Sequence, residues 1–179
     1  MNHKIPISVL VVIHSDDLQV LLIERFDKPG FWQSVTGSID TPDEPLYATA
    51  ARELFEETGI AAGPDRGGAQ LLDWHLANNY EIYPLWRHRY GPGVTHNVEH
   101  VFSVCVPQDS IITLNPREHL RHAWLPYRAA ADQCFSSSNA QAILQLPMRM
   151  EAAHGQQFAA AQPDADADFP RASDPQRLK

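Results

Sequence analysis

The residues best suited to chemistry lie in AARELFEETGI, where Glu53, Glu56 and Glu57 stand beside Arg52. At the roughly 100° per residue of an α-helix, the three carboxylates fall within an arc of about 100°. Tyr47, Ala51, Leu54 and Phe55 fall on the opposite side. The segment therefore reads as an amphipathic helix with one apolar face for a core and one acidic face. Like charges three and four residues apart destabilise an isolated helix by about 0.2–0.5 kcal/mol per pair. A divalent cation would turn that repulsion into attraction. A merely solvated acidic face is the alternative, and the spacing of the glutamates alone does not choose between them.

The ends of this helix are set by local chemistry. Thr41-Pro42-Asp43-Glu44 has the pattern of a capping box, but it would put Pro45 where the first intrahelical hydrogen bond needs an N–H. Asp43 or Glu44 is therefore expected to cap the helix, with Pro45 in its first position. Gly59 is expected to end it in the left-handed conformation.

The elements that deliver the chain to this helix are strands. Residues 7–13 (ISVLVVI) form the apolar, β-branched run of a strand buried on both faces. Ser15-Asp16-Asp17 supplies a turn and residues 19–24 return as a second strand, giving a hairpin. Residues 31–35 read as a third strand running into Thr36-Gly37. After the helix, residues 61–69 are loop by composition, and residues 70–75, 81–88 and 99–106 read as strands. A loop holding Glu118 and His119 precedes a short apolar element ending at Trp124-Leu125, and residues 128–134 and 139–150 have helical composition. Strands interrupted by one carboxylate-bearing helix and closed by a C-terminal helix predict an α/β or α+β layered fold.

Composition narrows the function. The 179 residues are 44% hydrophobic, with a net charge of −8 and few lysines. The chain is long enough for one domain with a sizeable core, expected over residues 1–158. It cannot assemble a broad basic surface, which argues against nucleic-acid polymers and anionic membranes as partners. The N-terminus has no cleavable apolar leader and no run of about 18 apolar residues occurs, so a cytoplasmic protein is expected. Cys105 and Cys134 lack CxxC spacing and are expected to be free thiols. Residues 159–179 are acidic and rich in Ala and Pro, too poor in large apolar side chains to offset their ordering entropy, so a disordered tail without catalytic role is expected.

The stretch Gly37…Glu44…Arg52-Glu53-Leu54-Phe55-Glu56-Glu57-Thr58-Gly59-Ile60 resembles the Nudix box of the nucleoside-diphosphate-linked-moiety hydrolases. Every position from Glu44 to Ile60 fits that pattern, and one extra residue separates Gly37 from Glu44. The resemblance implies an α/β/α sandwich with a mixed sheet and hydrolysis of a diphosphate linkage with Mg²⁺ or Mn²⁺. All-oxygen ligands suit those hard cations. An acidic protein meeting a polyphosphate also needs cations between two sets of negative charge. By the family pattern Arg52 braces Glu53, while Glu53, Glu56 and Glu57 serve as metal ligands or, for one of them, in activating water.

Further stretches resemble one branch of this family: FWQSVTGS from Phe31, RHRYGPGVT from Arg87 with Asn97, Glu118-His119 ahead of Trp124-Leu125, and Ser138-Asn139 with Gln141-Ala142. They imply dihydroneopterin triphosphate as substrate, split to the monophosphate and pyrophosphate. By the same resemblance Glu118 is a further metal-site carboxylate, and Lys4, Arg25, Thr36, Ser136 and the run Tyr80, Glu81, Ile82 and Tyr83 line the substrate. Lys4 and Arg25 suit phosphates, and Tyr80 or Tyr83 suits stacking on a pterin ring. Hydrolysis of canonical or oxidised nucleoside triphosphates is the second reading, and a binding module without catalysis is the third. Arg87-His88-Arg89 is expected on an exposed strand, His96, His100, His119 and His122 in structural or solvated roles, and Trp32, Trp74, Trp86 and Trp124 mostly in the core.

Overall fold

Two strands buried along almost their whole length set the frame: β1, Ile7–His14, and β2, Gln19–Arg25. They pair antiparallel across the turn at Asp16-Asp17, as the hairpin reading requires, with Ile13 opposite Leu21. The computed structural model describes residues 3–63 and 68–160, and the side chains of those up to residue 152. The chain divides into a first unit, Met1–Pro147, which holds every strand of the described residues, and a second, Met148–Lys179. Of the expected tail, residues 161–179 lie outside the described residues, as do residues 64–67 of the loop after the acidic helix.

The region expected as one third strand is two. β3, Trp32–Gln33, pairs with β2, and β4, Val35–Ser38, pairs with β1, so the chain changes partner at the buried Ser34. The acidic helix follows as α1, Leu46–Thr58, and then β5, Leu71–Glu81. A 3₁₀ helix, Pro84–Arg89, leads to β6, His96–Cys105, then β7, His119–Pro126, α2, Tyr127–Gln133, and α3, Ser137–Ala160. The strands form one seven-stranded sheet in the order β3-β2-β1-β6-β5, with β4 also on β1 and β7 also on β2. β1 and β6 run parallel and the other pairs antiparallel. This is the mixed sheet expected.

Alternation along the strands sorts the core into two layers. Val9, Val11, Ile13, Leu21, Ile23, Phe102 and Val104 share one face and pack with Ala50 and Leu54 of α1. Leu10, Val12, Val20, Leu22 and Val101 occupy the other face and are equally buried. The remaining buried apolar helix residues, Ala130 and Ala131 of α2 and Ala142, Ile143 and Leu146 of α3, lie outside the cluster that packs on α1. Helices on both sides of the sheet complete the α/β/α arrangement. Among the described residues no helix is long and apolar enough to cross a membrane.

Several local expectations are corrected. Residues 81–88 do not continue a strand: Pro84 lacks the N–H a ladder needs, and it opens the 3₁₀ helix that carries Arg87, His88 and Arg89. β5 instead extends through residues 76–80, past a bulge between Asp73 and Ala77 where His75 takes a φ of 50°. Pro45 is the N-cap of α1 and not its first residue, so the helix begins at Leu46, one residue later than expected, and no side chain caps that end. Gly59 does close the helix at φ 75° with its N–H on the Phe55 carbonyl. Tyr47 and Phe55 do not face the core but are 37% and 47% exposed. Of the tryptophans, Trp74 alone is fully buried, and Trp86 is half-buried in the wall of a cleft. Both cysteines are free, and burial pushes each thiol up to about 12.

Candidate active site

α1 aims its carboxylates by lying against β4. Gly37 on β4 has no Cβ, and one built there would come within 1.8 Å of the Glu53 Cδ. The strand backbone is therefore the floor on which the Glu53 carboxyl rests. One turn further along α1, Glu57 is buried on the same side. Glu56, a quarter-turn away, is exposed.

Arg52 ties this arrangement to the loop before the helix. Its Nε donates to Glu44 Oε1 at 3.0 Å, its Nη1 to Glu53 Oε1 at 2.8 Å and to Glu56 Oε2 at 3.3 Å, and its Nη2 to the Ser38 carbonyl at 3.0 Å. Burial works against the guanidinium charge, but the Glu44 hydrogen bond and the Glu53 charge outweigh it, so the Arg52 pKa is raised. Glu44 is held in turn by the Asp40 N–H at 2.6 Å. Its carboxylate anchors Arg52 rather than capping the helix. The bond back to Asp40 closes the loop that accommodates the extra residue after Gly37.

Glu118 arrives from the loop before β7, fixed by the Phe26 N–H on its carbonyl at 2.8 Å. His119, the first residue of β7, pairs with Arg25 in the sheet and is 4% exposed. Ligand atoms of Glu57, Glu118 and His119 all lie within 4.8 Å of one another. His119 Nε2 is 3.3 Å from Glu57 Oε1 but off the line of a hydrogen bond, leaving both ring nitrogens and Glu57 Oε2 buried without partners among the described residues. Burial raises the Glu57 pKa, and His119 only partly opposes it. Burial and the Glu57 charge push Glu53 up to about 7 despite Arg52.

Arg52 is paired with Glu53 and Glu56, whereas Glu57 keeps an orphaned carboxylate oxygen. Orphaned acceptors in a donor set of carboxylates with one imidazole fit a hard divalent cation. His119, expected in a structural or solvated role, is buried, and it lies beside Glu57 and Glu118. The available signal was its position directly after Glu118, at the start of a strand.

The carboxylates open onto a cleft of about 980 Å³. Arg52, Glu53, Glu56, Glu57, Glu118 and Gly37 line it, together with Lys4, Arg25, Thr36, Tyr80, Glu81, Ile82, Tyr83 and Ser136, so every residue expected at the site opens onto it. Lys4 stands among Arg89, Glu53, Arg25 and Glu118, and its pKa is lowered, first by burial and then by Arg89. Arg25 is held by both Asp27 carboxylate oxygens at 2.8 Å and lies 5.4 Å from the centre of the Trp86 ring. Tyr83 meets Trp86 and Phe135 at ring separations of 5.5 and 5.3 Å, giving the cleft an aromatic wall. Tyr80 turns its hydroxyl inward to Asn97 at 3.0 Å. Glu81 pairs with Arg87 of the 3₁₀ helix.

Residues 4–146 match the NUDIX domain family. The chain is 42% identical over 145 residues to Dihydroneopterin triphosphate diphosphatase of Escherichia coli (strain K12), covering 80% of this chain and 93% of that protein. The protein of the same name from Haemophilus influenzae is 40% identical over 144 residues, covering 80% and 88%. In three dimensions the chain superposes on the E. coli dihydroneopterin triphosphate pyrophosphohydrolase with a TM-score of 0.74 at 41% identity, covering 81% and 97%.

Proposed function

Because the chain belongs to the Nudix hydrolase family, we propose that its cleft hydrolyses dihydroneopterin triphosphate to the monophosphate and pyrophosphate. It is an enzyme acting on phosphoric anhydrides. The observation that carries the reading is the single cleft that holds the Glu53, Glu57 and Glu118 carboxylates, the Lys4 and Arg25 cations and an aromatic wall. Its relatives at about 40% identity, which span nearly their full length, favour a pterin over a nucleotide.

Glu53, Glu57 and Glu118, with Glu56 at the rim and His119 behind, would hold Mg²⁺ or Mn²⁺. A cation bound there supplies Lewis-acid polarisation of the phosphoryl oxygens and a more acidic water. The chain's own residues do the rest. Arg52 keeps the Glu53 carboxyl against β4, so the charge cluster is formed before substrate arrives. Lys4 and Arg25, which line the same cleft beside the carboxylates, neutralise phosphate oxygens. A carboxylate of the cluster accepts the proton of the attacking water, the bond between phosphorus and the bridging oxygen breaks, and pyrophosphate leaves. Thr36 and Ser136 offer hydroxyls to the phosphates, and the segment from Tyr80 to Tyr83 flanks the ring. One domain, residues 1–158, carries this activity in the cytoplasm, and residues 159–179 take no part.

Product analysis tests the reading. With Mg²⁺ present, dihydroneopterin triphosphate should yield pyrophosphate and monophosphate in equal amounts, and a chelator should stop the reaction. Release of orthophosphate, or turnover unaffected by chelation, would contradict it.

A further inference from the structure

At the end of the sheet face opposite α1, an apolar layer gives way to a buried polar one. Ser8, Asn78, Tyr80, Asn97 and Glu99 sit side by side on β1, β5 and β6, with Ser8 and Asn78 both opposite Glu99 and Tyr80 opposite Asn97. Asn97 is 1% exposed and Glu99 4%. Asn97 Nδ2 donates to Ser8 Oγ at 2.7 Å and to the Tyr80 hydroxyl at 3.0 Å, while its Oδ1 has no partner among the described residues. Glu99 Oε1 has none either. Burial raises the Glu99 pKa, with Ser138 and Asn78 close enough to offset part of the effect. All of these except Asn78 line the cleft that holds the carboxylate cluster.

Two deeply buried acceptors without donors would destabilise the fold unless something supplies N–H groups. A metal is a poor candidate, because the carboxylate stands alone among neutral groups. A flat ring with neighbouring N–H donors is a good one, since the aromatic side chains of Tyr83, Trp86 and Phe135 line the same cleft. We propose that Glu99, with Asn97, is the specificity determinant of this enzyme, accepting hydrogen bonds from the ring N–H and exocyclic amine of a 2-amino-4-oxopyrimidine edge. Pterin and guanine both carry that edge and adenine does not. The inference deepens the proposed function and rests on it for the choice of pterin over guanine, but not for the recognition of the edge.

Glu99→Gln tests the recognition of the edge. The substitution keeps shape and turns one acceptor into a donor facing the ring's own donors. kcat/KM should fall on the order of 10²-fold for dihydroneopterin triphosphate and for dGTP, the range of hydrogen bonds to a charged group, and stay within about threefold for dATP, whose ring makes no such match. Free neopterin, titrated by its fluorescence, should bind the variant at least about tenfold more weakly than the wild type. The melting temperature should not drop, because a buried unpaired acceptor is removed. If Glu99→Gln fails to fold, Glu99→Asp, which keeps the charge and withdraws it by one methylene, takes its place with the same kinetic and neopterin-binding expectations. Equal losses on all three triphosphates, or no loss on any, overturn the proposal. A wild type that cleaves dGTP but not the pterin substrate overturns the proposed function and leaves the edge recognition to be judged on dGTP against dATP.

Discussion

Gly37 on β4 and Glu53 on α1 are in contact in a way that only glycine permits, since a Cβ on Gly37 would lie 1.8 Å from the Glu53 Cδ and 2.0 Å from its Oε1. The clash would fall on the far end of a flexible side chain and not on backbone. Gly37→Ala should therefore fold, with a melting temperature within about 4 °C of the wild type, on a loss of about 1 kcal/mol. The Glu53 carboxyl would have to leave its place beside Arg52, and kcat should drop by about 10²-fold, as a misplaced catalytic group does. Circular dichroism melting with steady-state kinetics checks both; full activity in a folded variant would remove Glu53 from the site.

Arg52 donates through three nitrogens to Glu44, Glu53, Glu56 and the Ser38 carbonyl. A lysine carries the charge without the planar fork. Arg52→Lys is expected to lower kcat by about 10-fold or more with little change in KM, because it loosens a carboxylate and leaves the phosphate cations in place. Equal changes in KM alone would place Arg52 on the substrate instead.

Glu57 is where stability and function oppose each other. It is 5% exposed, with one carboxylate oxygen unpartnered. Glu57→Gln should reduce the rate by roughly 10²–10⁴-fold, the range for losing an acid–base or ligand carboxylate. Without divalent cation the same variant should melt at a higher temperature than the wild type. A lower melting temperature with rate retained would contradict both halves.

The pH dependence of the metal-free protein follows from the same groups. Glu53 is raised from 4.5 to about 7, first by burial and then by Glu57, and Glu57 and Glu99 are raised by burial. A carboxyl with a raised folded value binds more protons folded than unfolded between the two values. Its contribution is thus fully present below about 4.5 and is lost as pH rises through about 7 for Glu53. His14, whose pKa is lowered by burial, works the other way in that window. The comparison is therefore made against Glu57→Gln. Between pH 5 and 7 the wild type should lose stability relative to the variant, and added Mg²⁺ should stabilise the wild type more at pH 7 than at pH 5. Differential scanning fluorimetry reads both slopes, and parallel curves would count against a strained carboxylate cluster.

The hairpin β1–β2, the acidic helix and its Gly59 terminus were legible in the sequence because local chemistry determines them: β-branched runs, helical spacing and a residue that tolerates positive φ. The resemblance carried further, to Glu118 and to the cations of the cleft, which no local pattern connects with residues 53–57. What stayed hidden depends on tertiary contacts. Glu44 reads as a cap until Arg52 is seen to need it, and Phe55 reads as core until the helix is seen to turn Glu57 inward. His119 acquires its role from Glu57, 62 positions earlier in the chain. Asn97 entered only with the resemblance and Glu99 as the first residue of the strand expected over 99–106, and only the neighbouring strands and α3 reveal that both are buried.

The central claim is the substrate. With Mg²⁺ and the full chain, kcat/KM measured side by side for dihydroneopterin triphosphate, dGTP, 8-oxo-dGTP and dATP tests it most directly. The account predicts the highest value for dihydroneopterin triphosphate, with dGTP next and dATP lowest. A strong preference for 8-oxo-dGTP would contradict it and make the protein a nucleotide-housekeeping hydrolase.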